Sequence, residues 1–200
     1  MTSENSPFFG VPLPVAELAS NLVDFVERSL GIRPDFSPDT LSIVDHYAVQ
    51  ARDEVRSRPE ISDLTAQALG AYFGEVLRRS EGGFYLVPSP NFHDWSLCGE
   101  NAFVSLNPIG VGYDALMGSQ DHSGPSSQLK LAAEDRESVA SRLAALPEVG
   151  EGEYYSLCTR LEVMQIVMAH VRSAAESRGY ADMLYTAEDY GADLRPLSAF

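Results

Sequence analysis

The chain has 200 residues, with 29 Asp and Glu against 14 Lys and Arg, for a net charge of −15. Hydrophobic residues make up 44%, which supports a packed core and excludes a disordered chain. An acidic balance of this size argues against non-specific binding to nucleic acid or to an anionic membrane surface, and favours solubility or a basic partner. The acidity is not a tail effect: residues 1–100 hold 15 acids and 7 bases, and residues 101–200 hold 14 and 7. The longest uncharged run, 101–113, is too short to span a bilayer. Lys130 is the sole lysine among the 14 bases, a skew expected of a GC-rich genome.

Residues 1–13 are polar and then rich in proline and aromatics, which predicts an extended arm. No basic region precedes its apolar residues and Glu4 falls early, so no secretory signal is expected there. Pro14 suits a first helical turn, and Val15, Leu18, Leu22, Phe25 or Val26, and Leu30 carry a helical stripe up to Gly31. Ser37-Pro38 is the start signal for a second helix over residues 38–58, with Leu41, Val44, Ala48, Ala51 and Val55 on one face. Pro59 breaks it. From Ser62 the run SDLTAQALGAYFGEVLRR predicts a helix apolar on nearly every side, which places it at the centre of the core. Gly70 and Gly74 share one row of that helix. Each costs about 1 kcal/mol of helix propensity against Ala, so a closely approaching backbone is the expected compensation. Gly82-Gly83 ends the helix.

Beyond Gly83 the pattern changes. Residues 84–87 read as a strand, 88–95 as a loop and 101–106 as a second strand, giving a small antiparallel sheet. Asn107-Pro108 opens a short segment, 108–117, in which Gly110 and Gly112 leave helix and loop both open. Residues 119–127 have the composition of a surface loop. A helix is expected over 129–146, then an acidic turn at 148–152, then the longest helix over 153–178, stopped by Gly179. The fold class is α+β: about five helices around a central buried helix at 62–80, with a small antiparallel sheet at about 84–106. Residues 1–13 form the arm, 14–180 a single domain and 181–200 an acidic C-terminal segment.

Three stretches, FSPDTLSIVDHY (36–47), LGAYFGEVLRRSEGG (69–83) and LNPIGVGYDALMG (106–118), together resemble an uncharacterised bacterial protein family, over roughly residues 30–180. The resemblance implies an acidic, intracellular α+β protein of bacterial origin, and no particular activity. Phe84 supplies the aromatic residue that such relatives carry after the double glycine, whereas the loop 119–127 departs from the pattern.

Two carboxylates draw attention. Asp45 borders the apolar face of its helix, and Glu75 lies inside the central helix between Tyr72 and Arg79. A buried carboxylate must pair or shift its pKa. Arg78 and Arg79 fall within one turn of Glu75, so Asp45, Glu75, Arg78 and Arg79 read as an ion-pair network locking two helices. The competing reading is an acid–base site formed by Asp45 and Glu75. His93, Asp94 and Cys98 share one loop, where a base five residues from its nucleophile rarely attains catalytic geometry. Phe92 and Trp95 in that Pro-rich loop read as an exposed binding hot spot, unless both fold under to cap the core. His46, His93, His122 and His170 show no metal-ligand spacing, so neither a metal nor a cofactor is expected. Cys98 and Cys158 read as buried, reduced thiols of a cytosolic protein.

These features point to a non-enzymatic, cytoplasmic binding protein whose acidic surface recognises a basic protein partner; an inhibitor or immunity-type protein fits the size and charge. A small enzyme using Asp45 and Glu75, or a structural subunit of an assembly, are the alternatives. No nucleic-acid or membrane partner is expected. Glu148, Glu151 and Glu153 are the expected contact residues. Asp182, Glu188, Asp189 and Asp193 join them on one face only if the chain's end folds back along the long helix.

Overall fold

The computed structural model describes residues 8–191 and 195–196, and among these are seven α-helices and a five-stranded antiparallel sheet. The α+β class matches the sequence reading, with seven helices where about five are expected. α1 (Leu13–Leu30) buries its stripe of Val15, Leu18, Leu22 and Val26 and ends at Gly31, whose φ of 69° only glycine adopts freely. α2 (Leu41–Ser57) follows a 3₁₀ turn at Pro38–Thr40. The Ser37 hydroxyl does not cap this start; instead Asp35 accepts the Ser37 N–H at 2.9 Å. α3 (Ser62–Glu81) is the central helix, and every residue from 68 to 77 is buried. Its apolar residues touch α1 on one side and α4 on another, so no face between those positions is left for water.

α4 (Pro108–Met117) resolves the ambiguity of the glycine-containing segment: it is a helix, buried from Pro108 to Leu116. Asn107 caps its start, its Oδ1 accepting from the N–H of Ile109 at 3.0 Å and of Gly110 at 3.4 Å. Its glycines exist for packing. A Cβ on Gly112 would stand 2.1 Å from Ala66 O and 2.3 Å from Gly70 N, and one on Gly70 would stand 2.4 Å from Pro108 O. The space left by Gly70 in α3 is therefore filled by the backbone of α4, whereas that at Gly74 is filled by side chains, the Tyr85 hydroxyl at 2.6 Å and the Pro108 ring at 3.0 Å from an added Cβ.

The sheet is a meander of short strands: β1 (Phe84–Leu86), β2 (Ser96–Cys98), β3 (Val104–Leu106), β4 (Lys130–Leu131) and β5 (Arg195–Pro196). The strand expected at 101–106 is shorter, and β2 precedes it; Leu97 pairs with Leu106 and Cys98 with Ser105. Strands of three residues give an alternating pattern too little length to show itself. The helix expected at 129–146 is replaced at its start. Lys130–Leu131 pairs with Val104–Ser105, burying Leu131, and α5 spans only Arg136–Ala144. The long helix expected at 153–178 is broken. α6 (Glu151–Tyr154) is a single turn, and Ser156 restarts the chain as the cap of α7 (Leu157–Ser177), accepting the Thr159 N–H at 3.2 Å. Serine at that position favours a helix start over a helix interior.

One contiguous core joins residues of α1 to α5, α7 and the sheet. Beyond α7 the chain returns to the sheet. The buried Tyr190 hydroxyl donates to Gly99 O at 2.6 Å, and the N–H of Tyr185 donates to Glu100 O at 2.7 Å. No helix among the described residues is long and apolar enough to cross a membrane.

The seam between α3 and α4 generates a test. Gly70→Ala should lower the melting temperature, although alanine favours helix by about 1 kcal/mol, because the new Cβ meets backbone that cannot yield. Overpacking of this kind costs typically about 1–3 kcal/mol. Gly152→Ala, with no heavy atom within 4 Å of the added carbon, should leave the melting temperature unchanged or slightly raised. A Gly70→Ala protein as stable as its parent would show that the two helices can part at no cost.

Candidate functional site

The carboxylates singled out in the sequence go to different places. Glu75 is fully buried, and Arg78 holds it in a fork, Nε to Oε1 at 2.9 Å and Nη2 to Oε2 at 3.1 Å. Arg79 Nε lies 3.4 Å from Oε2. All three residues belong to α3, so the pairing is within one helix and does not lock α2 to it. The Arg79 guanidinium also lies over the Phe36 ring, 4.3 Å from its centroid. Phe36 has a φ of 66°, unusual for a non-glycine residue. Its ring stacks on Tyr72 at 4.7 Å, and its N–H donates to the Tyr72 hydroxyl at 2.9 Å. Burial, with Glu75 close by, pushes the Tyr85 phenol well above its ordinary pKa.

Asp45 takes no part in that cluster. Its two oxygens accept from the N–H groups of Leu157 at 2.6 Å and Cys158 at 3.0 Å, capping α7 from α2. A carboxylate at a helix N-terminus is favourable both as hydrogen-bond acceptor and against the helix dipole. Asp45 and Glu75 thus serve separate elements, and the acid–base pair they would have formed is not assembled. Trp95 is also not an exposed hot spot. It is buried, its ring 4.7 Å from that of the half-buried Phe92, and its Nε1 donates to Ser89 O at 2.9 Å. Asp94 accepts from the Ser89 hydroxyl at 2.7 Å, and His93 is exposed. Cys98 sits buried on β2, where desolvation pushes its thiol up to about 12. Cys158 is only partly buried, and burial together with the neighbouring Asp45 pushes it likewise to about 12.

The remaining histidines are dispersed: His46 bonds Gln50 at 3.0 Å on the surface of α2, and His170 lies on α7. His122 is different. Asp114, on α4 and 1% exposed, gathers three side chains: Ser127 Oγ donates to it at 2.5 Å, His122 Nε2 at 2.8 Å and Arg160 Nη2 at 3.0 Å. His122 Nδ1 accepts the Gly124 N–H at 3.2 Å, so the ring proton is on Nε2. Ser127 and His122 both bond the carboxylate rather than each other, which makes Asp114 a clamp and not the orienting member of a nucleophile triad. The clamp holds residues 120–127 against α4, with Gly124 seated on the face of Tyr113. The expected surface loop is therefore pinned, and Ser127 and Pro125 are buried.

Beside this clamp opens a groove of about 640 Å³, between the loop, the end of α5, the turn at 146–149 and the first turns of α7. Leu129, Leu143, Leu146, Val149 and Val163 make it apolar, and Ser127 and Arg160 line its polar side. Arg160 is neutralised by Asp114 and stacked on Tyr154 at 4.9 Å. Glu148 lines the groove, and Glu153 Oε2 lies 3.9 Å from where a Cβ on Gly150 would stand. Both glutamates are exposed; Glu148 stands at the edge of a groove that the sequence did not suggest, and Glu153 directly precedes its lining residue Tyr154. The Glu151 side chain and Asp193 lie outside the described residues. Asp182, Glu188 and Asp189 are exposed in the segment that Tyr190 anchors to the sheet. A signal for the clamp was present in the sequence: Asp114 is the only charged residue between 101 and 120. No protein-family model, curated protein or solved structure matches the chain.

Two outcomes follow from these environments. Asp45→Ala should destabilise the protein by about 1–2 kcal/mol through loss of the α7 cap, and Asp45→Asn by less; urea midpoints equal to the parent's would remove the cap from the structural account. At pH 8 a thiol with a pKa of about 12 is about 10⁻⁴ ionised, against about a quarter for an ordinary cysteine. Alkylation of the native protein by iodoacetamide should therefore run on the order of 10³ times slower than that of the urea-unfolded chain. Equal rates would show that both thiols are freely reached as thiolates.

Proposed function

We propose that the protein is a non-enzymatic cytoplasmic binding protein whose acidic surface recognises a basic protein partner. The observation that carries this reading is the unequal placement of the two charge signs. Eight of the fourteen basic residues, Arg33, Arg56, Arg58, Arg78, Arg79, Arg160, Arg172 and Arg178, lie in ion pairs with carboxylates. Arg52 is committed to the carbonyls of Ala115 and Leu116 at the end of α4, at 2.9 and 3.1 Å. Glu137, Glu148, Glu153, Glu162, Glu176 and Glu188 are exposed and have no ion-pair partner among the described residues. The surplus of carboxylate thus stands at the surface, where it steers a cationic partner. The use of Asp45 as a helix cap and of Glu75 as an arginine partner supports a binding role over an acid–base enzyme. Within this class, an inhibitor or immunity-type protein suits the size and charge.

The test is capture of a partner on the immobilised chain from the source cell's lysate, followed by association kinetics with that partner. The on-rate should fall between about 0.01 M and 0.15 M salt, as the Debye length shrinks from about 30 to about 8 Å. Reversal of Glu148, Glu151 and Glu153 to Lys should slow association more than it speeds dissociation. An on-rate indifferent to salt and to the reversals would reduce the acidity to a solubility device.

A further inference from the structure

We propose that the groove between α5 and α7 is the docking site, and that it takes a large apolar side chain from a basic segment of the partner, whose flanking Lys or Arg residues reach Glu148 and Glu153. The proposal rests on the reading of the acidic surface as a recognition surface, and it adds where and how the contact is made.

The groove's volume of about 640 Å³ falls in the range of pockets that bury a small-molecule-sized group, about 300–1,000 Å³, so it has room for the largest side chain. Its walls are apolar along α5, the 146–149 turn and Val163, with Gln120, Ser127, Gln128 and Thr159 as neutral polar lining, and its one cation, Arg160, is paired with Asp114 and covered by Tyr154. Its edge carries the exposed Glu148, and the exposed Glu153 directly precedes the lining residue Tyr154; neither has an ion-pair partner among the described residues. The complement of an apolar floor with an anionic edge is an apolar anchor flanked by cations; an anionic or purely polar ligand fits neither part. Val149, 45% exposed at the edge, extends the apolar surface outward toward the anchor's backbone.

The groove is also ready before anything enters it. One wall is the loop 120–127, fixed to α4 by the Ser127 and His122 bonds to Asp114. A second is α7, whose first turn is fixed by Asp45 and Ser156. Preformed walls lower the ordering cost of association, so a single buried anchor can dominate the affinity.

A random peptide library displayed on phage, with the whole chain as bait, tests the proposal without knowledge of the natural partner. Enriched peptides should share a large apolar residue flanked by Lys or Arg. Ala144→Trp, at an exposed position on the groove wall, should obstruct the groove and weaken such peptides at least about tenfold. Glu148→Gln with Glu153→Gln should weaken them at low salt and flatten the salt dependence. If Ala144→Trp does not fold, Val149→Ser at the groove edge, which removes apolar surface without changing charge, tests the same contact. Peptides that are basic but lack an apolar residue, and that ignore Ala144→Trp, would overturn the groove while leaving the acidic recognition surface standing. Apolar peptides without basic residues, held equally by the double Gln variant, would overturn the basic segment as occupant and the acidic recognition on which it rests. An unenriched library would overturn the groove as a peptide site.

Discussion

The close approach of two backbones organises the molecule. α3 and α4 meet where Gly70 faces the Pro108 carbonyl and Gly112 faces Ala66 and Gly70, at distances that leave no room for a Cβ. Packing at this range lets both helices be buried over most of their length, which no pair of larger interface residues would allow. α4 has a second face with the same requirement. Gly110 meets the backbone of Pro125, Ser126 and Ser127, so the loop that follows α4 folds back onto it. That return brings Ser127 and His122 to Asp114, and the loop then becomes one wall of the groove. The groove is thus a consequence, two steps removed, of glycines in a buried helix.

Charged residues in the interior serve helix ends and helix neighbours. α2 supplies both signs: Asp45 meets the N-terminus of α7, and Arg52, seven residues on and near the same face, meets the C-terminus of α4. Each has the sign that its helix dipole favours. Glu75 is held by two arginines of its own helix, and Asp114 is shared among serine, histidine and arginine. A carboxylate with both oxygens engaged in this manner holds structure together.

The large features were legible in the sequence and the small ones were not. α1, α2 and α3 follow from apolar spacing and from glycine and proline punctuation, and the need for a close neighbour at Gly70 and Gly74 was readable from their cost alone. The neighbour's identity was not, because it comes from 38 residues further along. Strands of two or three residues carry no periodicity, so β2 and β4 were missed, and Leu129 to Leu146 read as helix across a strand. Ser156 was hidden inside a long apolar stripe that continues in phase on either side of it. Trp95 illustrates the limit of composition: a Pro-rich loop suggested exposure, yet a single carbonyl at Ser89 satisfies the indole N–H and lets the ring be buried. Glu148 and Glu153 were visible as acids; the apolar groove beside them needed α5, the 146–149 turn and α7 to be brought together.

The placement of charge bears on what acidity can and cannot do here. Paired arginines and carboxylates contribute little field outside the protein, so the net charge of −15 is expressed by unpaired surface acids. At physiological ionic strength their field decays within about 8 Å, and beyond that distance one acidic surface resembles another. Long-range attraction therefore raises the encounter rate with any cationic protein and selects among them poorly. Selection needs a short-range feature whose fit differs between partners, in a place where charge and apolar surface coincide. Among the described residues, Glu148 beside the walls of Leu143, Val149 and Val163 has both. In the recognition we propose, the acids bring a partner to the surface and the groove decides which one remains.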